Sequence, residues 1–381
     1  MINDLNQLSL RLHKKLQGKL RVESKIRLNH RKALSLVYTP GVAEAVKHIS
    51  DNPKSVFDLT IKHTTVAVVS DGSAVLGLGN VGPEAALPVM EGKCAIFKEF
   101  AGIDAFPICL ATQEVNEIVA TIKNISPVFG AINLEDISAP RCFEIEEKLQ
   151  KMLDIPVMHD DQHATAIVVL AGLLNAAKIV DTQLIKCKVV IVGSGAAGCA
   201  IAKLLFDFGI KNIIMVDREG ILSKKRSGLI RYKKKLLTIT NPSDISGDLV
   251  NAARKSDVLI GVSSKKVFNK KIISVMNPHP IVFALANPDP EISPSDAKRW
   301  GVAIYANGRS DYSNQINNAL VFPGLFRGLL KNRSRSITNE IKIRAAFALA
   351  KVIKNPSTKK FIPSIFDKRV AASVANSIEI S

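Results

Sequence analysis

Aromatic residues are scarce in this sequence: they make up 5% of its 381 positions, with a single tryptophan. The five cysteines, Cys94, Cys109, Cys142, Cys187 and Cys199, include no C-x-x-C pair, which excludes zinc knuckles and thioredoxin-type redox motifs. Their odd number and wide, irregular spacing also exclude a secreted disulfide scaffold. Set in mostly apolar runs, they read as small core residues in a reducing compartment. The longest apolar stretch, Ala166 to Leu174, is about half the roughly 18 residues that a membrane span needs. Met1-Ile2-Asn3-Asp4 lacks the charged-then-apolar profile of a signal peptide, so a cytoplasmic protein without a membrane segment is expected. No repeat period and no low-complexity segment occurs.

Acidic residues are in deficit as well, with 34 Asp and Glu against 52 Lys and Arg, a formal charge of +18. Such a balance attracts nucleic acid, anionic membranes or acidic substrates. The basic residues are scattered except for Lys224-Lys225-Arg226 and Arg231-Tyr232-Lys233-Lys234-Lys235. This run reads as a solvated loop and helix face in preference to a nucleic-acid site, because no RRM, KH, zinc-finger or helix-turn-helix signature accompanies it. The hydrophobic content of 47% and charged content of 23% are ordinary for a globular chain, and the length suits two domains.

Short apolar runs closed by polar or Gly-rich turns alternate with helical patterns. Examples are Val66–Val69, Phe129–Leu134, Ile155–Met158 and Val189–Val192. This alternation predicts an α/β protein with parallel sheets, divided into an N-terminal domain over 1–158 and a second domain over 159–381. The first 35 residues read as one basic amphipathic helix with Leu8, Leu12, Leu16 and Leu20 at a four-residue spacing. Ile337 to Lys354 has helical periodicity, and the last helices are expected to fold back toward the first domain.

Gly193-Ser194-Gly195-Ala196-Ala197-Gly198 is a G-x-G-x-x-G motif that follows Val189–Val192 and opens an apolar helix. The next strand, Asn212 to Val216, ends at Asp217. This is the context of a Rossmann-like, doubly wound dinucleotide fold. Gly193 permits the tight turn, Gly195 admits the pyrophosphate, and Gly198 allows close helix–strand packing. Ala196 and Ala197 start a helix whose free N–H groups face phosphate. Asp217 would accept bonds from the adenosine ribose and favour NAD over NADP, although Arg218 and nearby lysines oppose that preference. The other reading of the motif is a structural turn.

Glu135-Asp136 closes one apparent strand and Asp160-Asp161 another. Ligands of open α/β sheets bind beyond the carboxyl ends of strands, so these acids would gather hard oxygen ligands in one cleft, suited to Mg²⁺ or Mn²⁺. Equally, Asp160-Asp161 would cap the helix beginning near Gln162, and Glu135-Asp136 would be a turn.

The sequence resembles the malic enzyme family, small bacterial NAD-dependent type, over nearly its whole length. The resemblance is carried by Tyr38–Ala43, Val75–Asn80, Pro88–Lys93, Phe100–Asp104, Ile132–Ile137, His159–His163, Ala284–Pro288, Gly308–Asp311 and Gln315–Asn318, in that order. It implies oxidative decarboxylation of (S)-malate to pyruvate and CO₂ with reduction of NAD or NADP, decarboxylation of oxaloacetate, and a homodimer or larger assembly. By motif, Glu135, Asp136 and Asp161 match the divalent-metal ligands, Lys93 the general base and Tyr38 the general acid. Asn287 and Asn318 match substrate contacts, and Asp160 belongs to the catalytic network. The resemblance places Tyr38, Lys93, Glu135 and Asp136 in the first domain and Asp161 and both asparagines in the second.

The base must be neutral to take the hydroxyl proton, which burial or neighbouring cations would favour. The sequence departs from the family at Ala164, where glycine is usual, at Ser313 in place of proline, and at Asn307 in place of threonine. Ala74 stands where larger eukaryotic members carry arginine. Two other functions compete: a redox-neutral decarboxylase of malate or oxaloacetate, and a catalytically quiet relative that binds nucleotide or nucleic acid. The retained acid, base and ligand types favour the oxidative enzyme.

Overall fold

A computed structural model describes residues 2–75 and 77–378; Met1, and Leu76 of the Val75–Asn80 motif, lie outside the described residues. Among the described residues, strands β1 (Thr65–Ser70), β2 (Asp104–Cys109), β3 (Ala131–Leu134) and β4 (Val157–His159) form a parallel sheet in the order β2-β1-β3-β4. β1, β3 and β4 are buried along their whole length, as parallel strands covered on both faces must be. Because β3 and β4 pair with Leu134 opposite His159, Glu135-Asp136 and Asp160-Asp161 leave the sheet side by side.

The second sheet comprises β5 (Val189–Val192), β6 (Ile213–Asp217), β7 (Gly220–Ile221), β8 (Val258–Gly261), β9 (Ile281–Ala284) and β10 (Ile304–Asn307). Its order is β10-β9-β8-β5-β6-β7, parallel except for the short β6–β7 pair. Strand order reverses beside β5, so the turn after β5 lies at the topological switch point where such sheets bind ligands. The molecule is therefore α/β with two parallel sheets, the second Rossmann-like.

The helix Asp160–Ile179 starts directly after β4 and packs against the helices Ala196–Phe208 and Asn339–Lys351 of the second half. At 20 residues it is long and apolar enough to cross a membrane, but it is buried along most of its length and is a core helix. One apolar core runs from Val66 and Val68 through this helix to Val189 and Ile191. The helix Phe322–Lys331 folds back onto Pro83–Ala101, where the Phe97 ring sits 4.7 Å from Phe322 and 5.3 Å from Phe326. All five cysteines are free; four are buried and Cys109 is half-buried.

The N-terminal segment is not one helix. Helix Ile2–Leu16 ends at Gln17 and Gly18, with φ of 53° and 115°, and a second helix begins only at Arg31. The left-handed backbone at Gly18, which glycine adopts without a Cβ clash, turns Lys19 onto the helix Pro83–Ala101. There the Lys19 amide donates to Glu91 and its ammonium to the Pro88 carbonyl.

Candidate active site

Glu135, Asp136 and Asp161 each offer a carboxylate oxygen, and the three oxygens lie within 4.8 Å of one another. Asp136 has a φ of 52°, a backbone state that Asp tolerates better than most residues, and its amide donates to Asp161 Oδ2 at 3.0 Å. Asn133, on β3, donates to Glu135 Oε2 at 2.9 Å and fixes its rotamer. Neither Asp160 nor Asp161 accepts from an N–H of its own helix, although both occupy its first turn. Their side chains are spent across the cleft instead, which decides against a simple capping role.

Lys93, buried on the helix Pro83–Ala101, places Nζ 2.8 Å from Glu135 Oε1 and 2.7 Å from Asp160 Oδ2. The same ammonium lies 4.3 Å from the centroid of the Phe322 ring, a cation–π contact. Burial by itself would pull the lysine pKa down. Asp160 and Glu135 outweigh burial and hold it above the ordinary range. The expectation of a neutral Lys93 thus meets a different environment here, because its charged neighbours are anions and not cations. Burial in turn pushes Glu135 well above the usual carboxylate range, and Asp160 upward too, with the other carboxylates adding to the effect.

The three clustered carboxylates, two of them buried, aim oxygen atoms at one shared space. Asp160 Oδ1 is moreover buried without a hydrogen-bond partner. An all-oxygen donor set of this kind fits a hard divalent cation such as Mg²⁺ or Mn²⁺.

Asn318 joins the cluster from a distance of 158 residues along the chain, donating from Nδ2 to Asp160 Oδ2 at 2.5 Å. Asn287 sits in the loop after β9, and this loop touches the first half of the molecule. A Cβ added to Gly77 would come within 2.9 Å of the Asn287 carbonyl oxygen. Tyr38 stands at the C-terminal end of the helix Arg31–Val37, is 68% exposed, and its hydroxyl bonds none of the cluster residues. The structure thus assembles Lys93, Glu135, Asp136, Asp160, Asp161 and Asn318, while Tyr38 lies on the surface.

A supporting layer went unseen in the sequence. Glu146 accepts from the His159 amide at 2.8 Å, from Gln162 Nε2 at 3.1 Å and from His163 Nε2 at 3.0 Å, and Lys342 donates to His163 Nδ1 at 3.1 Å. Burial holds the His163 pKa down, which agrees with a neutral ring that donates at one nitrogen and accepts at the other. Ala164 is helical and fully buried, so its extra methyl strains no backbone. Asn307 accepts from the Arg309 amide at 2.8 Å and braces the turn after β10, Ser313 is exposed, and Ala74 donates its amide to the Asp136 carbonyl at 2.9 Å.

At the switch point, a cavity of about 1190 Å³ is lined by Gly193, Ser194, Gly195 and Asp217 among others. Gly193 has a φ of 115°, and a Cβ there would meet the Val262 carbonyl oxygen at 2.4 Å; one on Gly198 would meet the Gly193 oxygen at 1.9 Å. A Cβ on Gly195 would project into open space, which is where a pyrophosphate approaches the backbone. Ala196 and Ala197 begin the helix Ala196–Phe208 beside it. These features fit a dinucleotide. Asp217 ends β6 as expected, but its carboxylate is engaged by Arg226 and Lys233, so this part of the basic run is not a solvated face.

A family model described as the malic enzyme N-terminal domain matches residues 17–150, and one described as the malic enzyme NAD binding domain matches 163–380. The chain is 52% identical over 363 residues to an NAD-dependent malic enzyme of Geobacillus stearothermophilus, covering 95% of this chain and 76% of that protein. It is 49% identical over 377 residues to a bifunctional malic/malolactic enzyme of Bacillus subtilis, covering 98% and 92%. The crystal structure of an NAD-dependent malic enzyme from Thermotoga maritima superposes with a TM-score of 0.94 at 46% identity, over 97% of this chain and 98% of that one.

Proposed function

The chain belongs to the malic enzyme family, whose reaction is the oxidative decarboxylation of malate, and from that premise we propose that it uses NAD, a divalent cation and the residues gathered around Lys93. The observation that carries the reading is the carboxylate triad within 4.8 Å, directly beside a buried lysine. With the domains divided at 158 and 159, Lys93, Glu135 and Asp136 come from one side of the cleft, and Asp160, Asp161, Asn287 and Asn318 from the other.

Glu135, Asp136 and Asp161 would hold Mg²⁺ or Mn²⁺, which would supply Lewis-acid polarisation of the substrate. Lys93 accepts the C2 hydroxyl proton, and NAD held at Gly193–Gly198 would supply the hydride acceptor. Committing Glu135 elsewhere would remove one of the two carboxylates that hold Lys93 charged, a change toward the neutral amine. Asp160, bonded to both Lys93 and Asn318, fixes the amine's position. Asn287 and Asn318 orient the substrate carboxylates. Tyr38, which lies on the surface here, would have to be brought over the cleft to return a proton to C3 and give pyruvate. The same groups decarboxylate oxaloacetate, since its carboxylate is already β to a carbonyl.

The test follows absorbance at 340 nm with (S)-malate, Mn²⁺ and NAD, and assays the product. NADH and pyruvate in equal amounts are expected. Lactate with a flat trace would select the redox-neutral decarboxylase instead, a reading to which the malolactic activity named for the Bacillus subtilis relative lends support.

The protein is proposed to act as a homodimer or larger homo-oligomer. Leu5, Leu8, Leu12 and Leu16 form one stripe of the helix Ile2–Leu16 and are 49–68% exposed, and Leu34, Leu36, Val42 and Val46 in the next two helices are exposed as well. So many exposed apolar side chains near the N-terminus support a subunit contact there. Light scattering is expected to give at least twice the 41.3 kDa protomer mass, and Leu8→Glu with Leu12→Glu is expected to reduce it to one protomer. A monomeric wild type would sink the assignment.

A further inference from the structure

The basic run that no part of the reaction uses ends in the cofactor cavity. We propose that Arg226 and Lys233 form a 2′-phosphate subsite at the ribose end of that cavity, so that the enzyme accepts NADP as well as NAD. The inference rests on the reading of the cavity as the dinucleotide site of a malic enzyme.

Asp217 Oδ1 accepts from Arg226 Nη1 at 2.8 Å and from the Glu219 amide at 2.9 Å; Oδ2 accepts from Arg226 Nη2 at 3.2 Å and from Lys233 Nζ at 2.7 Å. A carboxylate has about four acceptor positions, and these four bonds use them. A ribose hydroxyl can reach Asp217 only by displacing a cation. The acid that ends the second Rossmann strand ordinarily rejects a 2′-phosphate by its charge, and here that charge is matched by two cations before any ligand arrives. Both cations line the cavity with Asp217 and Arg218. Two further anions line the cavity: Asp248 caps the helix Leu249–Ala253 by accepting from the Asn251 amide at 2.9 Å, and Glu219 pairs with Arg226 at 2.6 Å but is 77% exposed, so solvent screens it.

Arg226 reaches the corner from the loop after β7, and Lys233 from the helix Arg231–Leu236. Each is less than one-fifth exposed. Two chain segments thus converge to place a planar guanidinium and an ammonium on one carboxylate. A phosphate dianion can take over both, the guanidinium through two parallel hydrogen bonds. With NAD, Lys233 swings aside and Asp217 accepts the ribose. With NADP, Arg226 and Lys233 move from Asp217 to the phosphate.

The discriminating measurement needs no turnover: calorimetric titration of the purified protein with 2′,5′-ADP and with 5′-AMP. Wild type is expected to bind 2′,5′-ADP at least as tightly as 5′-AMP. In Arg226→Gln and in Lys233→Gln, the affinity ratio of 2′,5′-ADP to 5′-AMP is expected to fall by roughly tenfold or more, the loss of one charge-assisted hydrogen bond. The NADP-to-NAD ratio of kcat/KM should fall in parallel. A wild type that binds 5′-AMP but not 2′,5′-ADP, or variants with an unchanged ratio, would overturn the subsite and leave the malic enzyme reading standing. If neither nucleotide binds, the cofactor assignment of the cavity fails and the subsite with it.

Discussion

Lys93→Ala is expected to lower kcat for malate oxidation by roughly 10²–10⁴-fold, the usual contribution of one positioned acid–base group. The side chain it removes is buried and makes two ion pairs at 2.7 and 2.8 Å, so alanine would also leave Glu135 and Asp160 without their counter-charge. Loss of folding and loss of chemistry must therefore be separated. Lys93→Arg does this, because a guanidinium keeps the positive charge but does not deprotonate. Steady-state rates at 340 nm and thermal melting of both variants give the answer. The arginine variant is expected to melt close to wild type and yet remain as inactive as the alanine variant. An arginine variant with more than about a tenth of wild-type kcat would remove Lys93 from the base role, since a true general base contributes at least 10²-fold.

Lys93 also shows where sequence reasoning stops. Acids at strand ends are legible without a structure: Glu135-Asp136 and Asp160-Asp161 each follow a short apolar run, and adjacent parallel strands bring such ends together. Lys93 lies inside a helix, among 52 basic residues, and no spacing singles it out. Only the family motif did so, and neither route revealed that its nearest charges are carboxylates. The bond between Asn318 and Asp160 spans 158 residues and depends on how the two halves meet, which local patterns do not encode.

The dinucleotide turn was readable from its glycines because close backbone approach leaves a compositional trace. The partners of Asp217 were not, since Arg226 and Lys233 sit in a charged stretch whose pattern equally suits open solvent. At the N-terminus the leucine spacing of four continued through Gly18 and concealed the break there. Gly18 itself was the available signal, as glycine is the usual residue just past a helix end.

Neutralising the triad is the second large effect. Asp161→Asn keeps the shape of the side chain but removes a charge. It is expected to weaken Mn²⁺ binding by more than about 100-fold, beyond the 10–100-fold that an outer-shell partner costs. Asp136→Asn should act similarly, because its carboxylate shares the same space within 4.8 Å. Paramagnetic resonance of free Mn²⁺ during titration measures this directly and does not depend on turnover. A linked readout is thermal: at a metal concentration about 100 times Kd, binding to the folded state alone adds about 2.7 kcal/mol. Mn²⁺ should therefore raise the melting temperature of wild type and leave that of Asp161→Asn unmoved. Asn133→Ala serves as the contrast. It removes only the 2.9 Å bond that holds Glu135, so its loss of affinity should stay within the outer-shell range. Equal losses for Asn133→Ala and Asp161→Asn would mean that the triad does not ligate the ion, because a hydrogen-bonded support cannot cost as much as a ligand.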